Sequence, residues 1–483
     1  MCGIAGFLTL EPQSDASSIL ERMTTAIRHR GPDSTGLFSE APAFLGHRRL
    51  SIVDLSGGYQ PMWNEDHSKV IVFNGEVFNH AAVRPELEAA GHRYDNHSDT
   101  ESLLHGWEQW GPQSLDRWRG MFSFVIWDQQ ARRLVGARDR LGIKPFYYYW
   151  DGTLFAFASE IKALLEHPDI SAEPEDSVIP EYLSFGYVSG EQTMFRGIRK
   201  LMPGHWLEWH IDAATGHPSL SIERYWDVPA AGSESHSDAN WIRQVREKLE
   251  ETVQLRLMAD VPLGTFLSGG VDSSAITALV GRLSSTQVQT FSVGYDEAQY
   301  SELGYARTVA KQLGTHHREV VIGPQEFFGA LPGLIYHEDE PISWPSSVPL
   351  YFVSRLAAEH VKVVLTGEGS DEVFAGYERY HWNQLNLRAA SAYRLVPETL
   401  RSGLRNFLSS SPLLRADLRR KLSHTFLSRD LTVEALFLDN FYAAFTLEQQ
   451  NRLLASSSDA VYGNYRRYWD SRAAGPLLDR MLY

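Results

Sequence analysis

Cysteine is all but missing: the 483 residues include one, Cys2. An intrachain disulfide is therefore excluded, which fits a reducing compartment. Positive charge is in deficit, with 45 Lys and Arg against 60 Asp and Glu and a formal net charge of −15. That balance argues against nucleic acid or an anionic membrane surface as a partner, since both need a basic face. Apolar runs stay short of the ~18 residues of a membrane span. Met1 to Asp15 lacks the basic lead and long apolar stretch of a signal peptide, so a cytoplasmic protein is expected. Also missing is any Gly-x-x-x-x-Gly-Lys-Ser/Thr pattern, which excludes an ordinary P-loop with its phosphate-gripping lysine. At this length two or three domains are expected.

The most informative stretch is Leu263 to Ser274, reading LGTFLSGGVDSS. Gly264 to Leu267 predicts a buried parallel strand. Ser268-Gly269-Gly270 breaks it, and Asp272, Ser273 and Ser274 open a helical period through Ala275, Ile276, Leu279, Val280 and Leu283. Adjacent glycines let backbone amides approach a ligand, and a helix start offers unpaired N–H groups to an anion. Asp272 is placed to hold a metal against phosphates. Ser and Asp are also ordinary N-caps, so alone the segment fits a plain capped helix equally well. Around it strands alternate with helices: strands at 288–293, 319–322 and 361–365, helices at 302–313 and 357–360. That alternation predicts a mostly parallel sheet with ligands at the carboxyl strand ends. Thr366-Gly367-Glu368-Gly369-Ser370-Asp371-Glu372 then sets three carboxylates within five residues at a strand end, a costly arrangement without a cation or substrate. Asp272 and Asp371 are the candidate Mg2+ ligands. The His337–Pro341 run lacks other spaced ligands and is a weak zinc signal.

At the other end, Cys2 follows the initiator Met. With Met1 removed, Cys2 carries both thiol and α-amine, so one residue supplies nucleophile and base. Val70 to Phe73 predicts a strand ended by Asn74-Gly75-Glu76, whose amide and backbone donors suit an oxyanion hole. Arg49 offers a two-pronged partner for a carboxylate. Glu76 and Asp99 offer charge to an ammonium group. In isolation Asn-Gly is usually a turn and an Arg a surface charge.

Met-Cys-Gly-Ile-Ala-Gly-Phe at the start and Ser-Gly-Gly-Val-Asp-Ser-Ser at 268–274, with matching motifs out to about Tyr380, make the chain resemble glutamine-hydrolysing asparagine synthetase. The resemblance implies an α/β and α+β protein: an N-terminal-nucleophile αββα sandwich over 1–210, a linker over 211–237, and a doubly wound parallel-sheet ATP-pyrophosphatase domain over 238–483. It implies glutamine, aspartate and ATP as substrates, with Mg2+, and is compatible with a homodimer. It assigns Cys2, Asn74, Gly75 and Glu368 to catalysis. Arg49, Asn74, Gly75, Glu76 and Asp99 are assigned to glutamine, and Leu267, Ser268, Gly269, Gly270, Asp272, Ser273, Ser274, Val293, Thr366 and Gly367 to the nucleotide. Segments 28–33, 138–145 and 158–162 match as scaffold or inter-domain elements, and 337–341 as a loop near the acceptor. Met202–His205 is a turn signal near the end of the first domain. Ser-rich stretches 409–411 and 456–458 predict loops, and the rest of 380–470 predicts helix.

The departure is at the C-terminus. The family's later Lys-x-Asp-Arg-Met and Arg-x-Pro-x-Leu-Asp segments are not found, and Leu477 stands where a phosphate-facing lysine is expected. A truncated second domain is the expectation. Its alternatives are amide formation on another carboxylate, or a glutaminase-only or non-catalytic protein.

Overall fold

The computed structural model describes every residue except 12, 213–214, 231, 233, 298, 412–413, 442–443 and 455–458. In chain order its first strands are Gly3–Leu8 (β1), Ser34–Glu40 (β2), Ala43–Arg49 (β3), Met62–Trp63 (β4), Lys69–Val77 (β5), Gly120–Asp128 (β6), Arg133–Arg138 (β7), Tyr147–Trp150 (β8), Phe155–Ala158 (β9), Ile198–Lys200 (β10), His205–Ile211 (β11) and Pro218–Arg224 (β12). They form two antiparallel sheets, ordered β10-β8-β9-β1-β3-β2 and β12-β11-β7-β6-β5-β4. Ile4, Leu8 and Leu45 of one sheet meet Val70, Val72, Val125 and Leu134 of the other in a shared core. Helices Ala16–Ala26 and Ile161–Leu164 cover the outer face of the first sheet. Helices His80–Ala89 and Asp99–Trp110 cover the outer face of the second. Covered on both sides, β6 (GMFSFVIWD) is nearly continuous in apolar residues rather than alternating. This is the expected αββα sandwich.

Four further strands, Leu263–Phe266 (β13), Gln289–Tyr295 (β14), His316–Ile322 (β15) and Val363–Leu365 (β16), form a parallel sheet ordered β15-β14-β13-β16. Val280, Val288 and Val253 pack one side of it, and Phe291, Val353 and Ala357 pack another. The helix Asp238–Arg256 begins at Ser237, whose hydroxyl accepts from the Asn240 amide, a side-chain cap.

By compactness the chain divides into two units: 1–175, 190–227 and 235–367 in the first, and 176–189, 228–234 and 368–483 in the second. The second unit is helical. Phe185 of helix Ile179–Phe185 packs with Tyr380, Phe437, Tyr462 and Met481, and Gln450 Nε2 donates to Ser184 Oγ at 2.7 Å.

Four sequence expectations need correction. The span expected as a linker contributes β12, which pairs residue for residue with β11 from His205↔Arg224 to Ile211↔Pro218. As a mostly exposed sheet edge it carries polar residues, so composition hides it. Asn74-Gly75-Glu76 does not end β5: the strand runs to Val77, with Gly75 opposite Phe122. Ser409 and Ser410 belong to the helix Glu398–Ser410, their hydroxyls turned back onto the Asn406 carbonyl at 3.0 and 2.6 Å. His337 and Glu338 close the helix Pro324–Glu338, and the turn comes at Asp339, with φ of 63°. Residues 456–458 lie outside the described residues.

Candidate active site

Cys2 enters at the head of β1, with the Leu50 amide donating to its Sγ at 3.4 Å. Arg30 Nε donates to the Cys2 carbonyl at 2.9 Å, and Arg30 Nη1 reaches Glu160 Oε1 at 2.9 Å, so an ion pair fixes the backbone that carries the thiol. Burial pushes the Cys2 thiol above its ordinary pKa and lowers the neighbouring α-amine of Met1 to about 6. Removal of Met1 would move the free α-amine onto Cys2 itself, beside a thiol that burial keeps neutral, the arrangement in which proton transfer creates the nucleophile.

A cavity of about 300 Å³ opens beside Cys2, at the lower end of small-molecule sites. Arg49, Asn74, Gly75, Glu76 and Asp99 all line it. Three elements bring them there. β3 ends at Arg49, β5 carries 74 to 76, and the helix Asp99–Trp110 begins at Asp99. Two buried cross-links hold these elements in register. His47 Nε2 lies 3.1 Å from the Phe73 carbonyl, and burial holds its imidazole neutral, down to about 3. Gln60 accepts from the Phe73 amide at 2.6 Å and donates to Thr100 Oγ1 at 3.2 Å.

Asn74 is fully buried, yet neither its Nδ2 nor its Oδ1 has a hydrogen-bond partner. Leaving a buried carboxamide unsatisfied costs about 1–3 kcal/mol, so it marks a place where a ligand group belongs. Gly75 is required by packing: a Cβ there would meet the Met121 carbonyl at 2.2 Å. Arg49 sits over the Tyr59 ring at 5.0 Å and donates to the Asp54 carbonyl at 2.6 Å, which fixes its fork against the wall. Asp99 Oδ2 accepts from the Val77 amide at 2.8 Å. Burial first, and the Glu76 charge after it, raise the Asp99 carboxyl to about 7, while burial also raises Glu76. Two desolvated acids awaiting a cation suit an ammonium ligand.

Lys144 is a pocket residue that sequence reasoning left among scaffold. It lines the same cavity, lies 3.1 Å from Met1 Sδ, and is lowered in pKa by burial. The buried Asp139 places it: its carboxylate accepts from the amides of Phe122, Leu141, Ile143 and Lys144 within 3.1 Å. Asp-Arg-Leu-Gly-Ile-Lys is visible as a turn, but nothing in it says where the lysine points. The cavity is also lined by Lys362, Val363 and Val364, from β16 of the parallel sheet and the residue before it.

A second constellation lies at the carboxyl end of β13. Leu267 is buried, Ser268 to Gly270 turn, and the helix Val271–Leu283 starts with no side-chain cap. Gly269 has φ +85°, and a Cβ there would meet Tyr305 C at 2.5 Å. Ser268 Oγ accepts from the Gly270 amide at 3.2 Å and lies 3.0 Å from Ser273 Oγ, so the turn is rigid before any anion arrives. Ser274 Oγ is buried without a partner. Gly367, after β16, comes so close that a Cβ would lie 2.8 Å from the Ser273 nitrogen, which places Thr366-Gly367 beside the turn. Val293 lies farther along β14, opposite Val320. Glu368 and Asp371 fall in the second unit, Asp371 in the short helix Ser370–Phe374. The structure therefore gathers the glutamine set in one cavity and the 268–274 and 366–367 set in one turn.

A thiol at the second residue of a two-sheet sandwich, followed by a parallel sheet with an uncapped glycine turn, defines a two-part α+β and α/β protein of the N-terminal-nucleophile and ATP-pyrophosphatase fold classes. Residues 1–226 match the glutamine amidotransferase domain family, and residues 244–483 match the asparagine synthase family. The chain is 37% identical to glutamine-hydrolysing asparagine synthetase 1 of Bacillus subtilis over 384 residues, covering 79% of this chain and 59% of that protein. It is 35% identical to a putative glutamine-hydrolysing asparagine synthetase of Mycobacterium tuberculosis, covering 91% and 69%. Against putative asparagine synthetase 2 of Methanocaldococcus jannaschii it is 31% identical, covering 83% and 79%. The chain belongs to the asparagine synthetase family. It spans 59% and 64% of the length of two Bacillus subtilis relatives.

Proposed function

We propose that this chain hydrolyses glutamine at Cys2 and delivers the ammonia to an acid adenylated at the Ser268–Ser274 turn, making asparagine from aspartate. Residues 1–210 form the glutamine domain in this reading and 238–483 the ATP domain, in a cytoplasm that keeps Cys2 reduced. With Met1 excised, the α-amine of Cys2 takes the thiol proton and the sulfur adds to the glutamine Cδ. Asn74 Nδ2 and the Gly75 amide receive the developing oxyanion. Arg49 pairs with the α-carboxylate, and Glu76 and Asp99 pair with the α-ammonium. The proton returns to the leaving nitrogen, ammonia departs, and water hydrolyses the thioester to glutamate.

At the second site the aspartate β-carboxylate attacks the α-phosphorus of ATP, giving β-aspartyl-AMP and pyrophosphate, and ammonia displaces AMP. The free amides at the start of helix Val271–Leu283 and the hydroxyls at 268, 273 and 274 hold the pyrophosphate. Asp272, in the first turn of helix Val271–Leu283, offers a carboxylate of the kind Mg2+ takes, which would neutralise phosphate charge; Asp371 joins it as a ligand candidate by resemblance alone. The family resemblance alone gives Glu368 the role of orienting the acceptor or moving a proton.

The observation carrying this reading is the cavity lined together by Cys2, the chain's sole thiol, a buried and unpartnered Asn74, and two desolvated acids. The test compares Cys2→Ala with wild type. Ammonia-dependent asparagine formation and aspartate-dependent pyrophosphate exchange should persist while glutamine-dependent synthesis vanishes. Glutamate release by Cys2→Ala, or absence of exchange in wild type, would overturn it.

A further inference from the structure

Away from both constellations, the glutamine domain gathers Glu65, His92, His105 and Glu108 so that one ligand atom from each lies within 4.8 Å of every other. They come from three places: the turn between β4 and β5, the connector after helix His80–Ala89, and one face of helix Asp99–Trp110. We propose that these four side chains bind a first-row divalent cation, Zn2+ by the chemistry of its donors, as a structural site that pins the later half of the helix that begins at Asp99.

The geometry carries the argument. A tetrahedral ion with bonds of ~2.0–2.1 Å sets neighbouring donors about 3.3 Å apart. Here His105 Nδ1 lies 3.2 Å from Glu108 Oε2 and 3.5 Å from Glu65 Oε2, and His92 Nδ1 lies 3.2 Å from Glu65 Oε1. The surroundings are those of ligands rather than of ordinary surface pairs. His105 Nε2 faces the Arg93 carbonyl at 3.1 Å, which directs its other ring nitrogen into the cluster. Asn64 Nδ2 donates to Glu108 Oε1 at 2.6 Å, and the Arg93 amide donates to Glu65 Oε1 at 2.9 Å. His105 is 1% exposed, and the His92 ring stacks on it at 4.8 Å.

Glu65 and Glu108 face His105 Nδ1 and Glu101 lies 3.8 Å from Nε2, so three carboxylates converge on this one ring. Lys69, 3.8 Å from Glu108, is the opposing positive charge, itself shared with Asp128.

The test uses the full chain carrying Cys2→Ala, which removes the only thiol. Dialysed against Zn2+ alone and desalted, it should retain one equivalent and melt at a higher temperature than with Mg2+. Co2+ alone should give tetrahedral d–d bands. His92→Gln and Glu108→Gln, both at partly exposed positions, should each lose the equivalent and the shift. Failure to retain Zn2+, or retention unchanged in both variants, would overturn the proposal.

Discussion

At the residue scale the site is defined by groups that the protein leaves unsatisfied. Asn74 carries a carboxamide with no partner in a dry position, a cost that binding of a developing oxyanion would repay. Asn74→Ala should lower kcat for glutamine hydrolysis by about 10²–10³-fold with a much smaller effect on KM. Rapid-quench measurement of thioester formation checks it; a raised KM with kcat unchanged would mean ground-state binding only. Asp99 makes a second, pH-dependent case. Its folded pKa of about 7 exceeds the ~3.9 of an unfolded Asp, so the neutral carboxyl supports stability fully below ~4, and this is lost as pH rises through 7. An α-ammonium ligand needs the charged form. KM for glutamine should therefore fall as pH rises across 7 in wild type, and stay flat in Asp99→Asn. Arg49, Asn74 and Asp99 stand out in the sequence only through the family resemblance, since alone they read as a surface charge, a turn and a helix start; the structure adds that they line one cavity with Cys2. Lys144 was not legible, since its direction depends on Asp139 gathering four amides around a turn.

At the element scale the strand–turn–helix at 263–283 follows its sequence nearly residue for residue, because glycine is forced there. Gly269→Ala would place a methyl 2.5 Å from the Tyr305 backbone at positive φ. Overpacking and left-handed strain together should cost about 2–5 kcal/mol and abolish aspartate-dependent pyrophosphate exchange while glutamine hydrolysis survives. Loss of both activities in soluble, folded protein would show that the turn does more than hold phosphate. Elements whose definition is long-range were harder to read. β5 runs through Asn-Gly because β6 pairs with it, and β12 exists because β11 offers it an edge. Neither partner lies within the local window that periodicity uses. The cluster of Glu65, His92, His105 and Glu108 escaped for the same reason: three segments supply it, and no spacing rule joins them.

At the scale of the whole first unit, one charged cluster joins the thiol's support to the parallel-sheet part. Glu160 holds Arg30 and His29, and Lys162 contacts both Glu160 and Asp339, the latter at 2.9 Å. Asp339 also accepts from the Ile161 amide at 2.7 Å, and Glu340 accepts from the Met194 amide at 2.8 Å. Burial opposes the Glu160 charge, but His29, Lys162 and Arg30 together pull its carboxyl down to about 2. The sign follows: stability is present above the unfolded value of ~4.5 and lost as pH falls through 2, on the order of 3 kcal/mol in all. Glu160→Gln should lower the melting temperature at pH 7 and converge with wild type near pH 2. Asp339 tests coupling rather than stability. It touches neither Cys2's cavity nor the 268–274 turn, yet it ties the segment behind Cys2 to the end of helix Pro324–Glu338. Asp339→Ala should leave glutamine hydrolysis within about twofold while raising the ratio of glutamate released to asparagine made several-fold. A ratio unchanged from wild type would mean that this clasp only holds the parts together and plays no part in ammonia transfer.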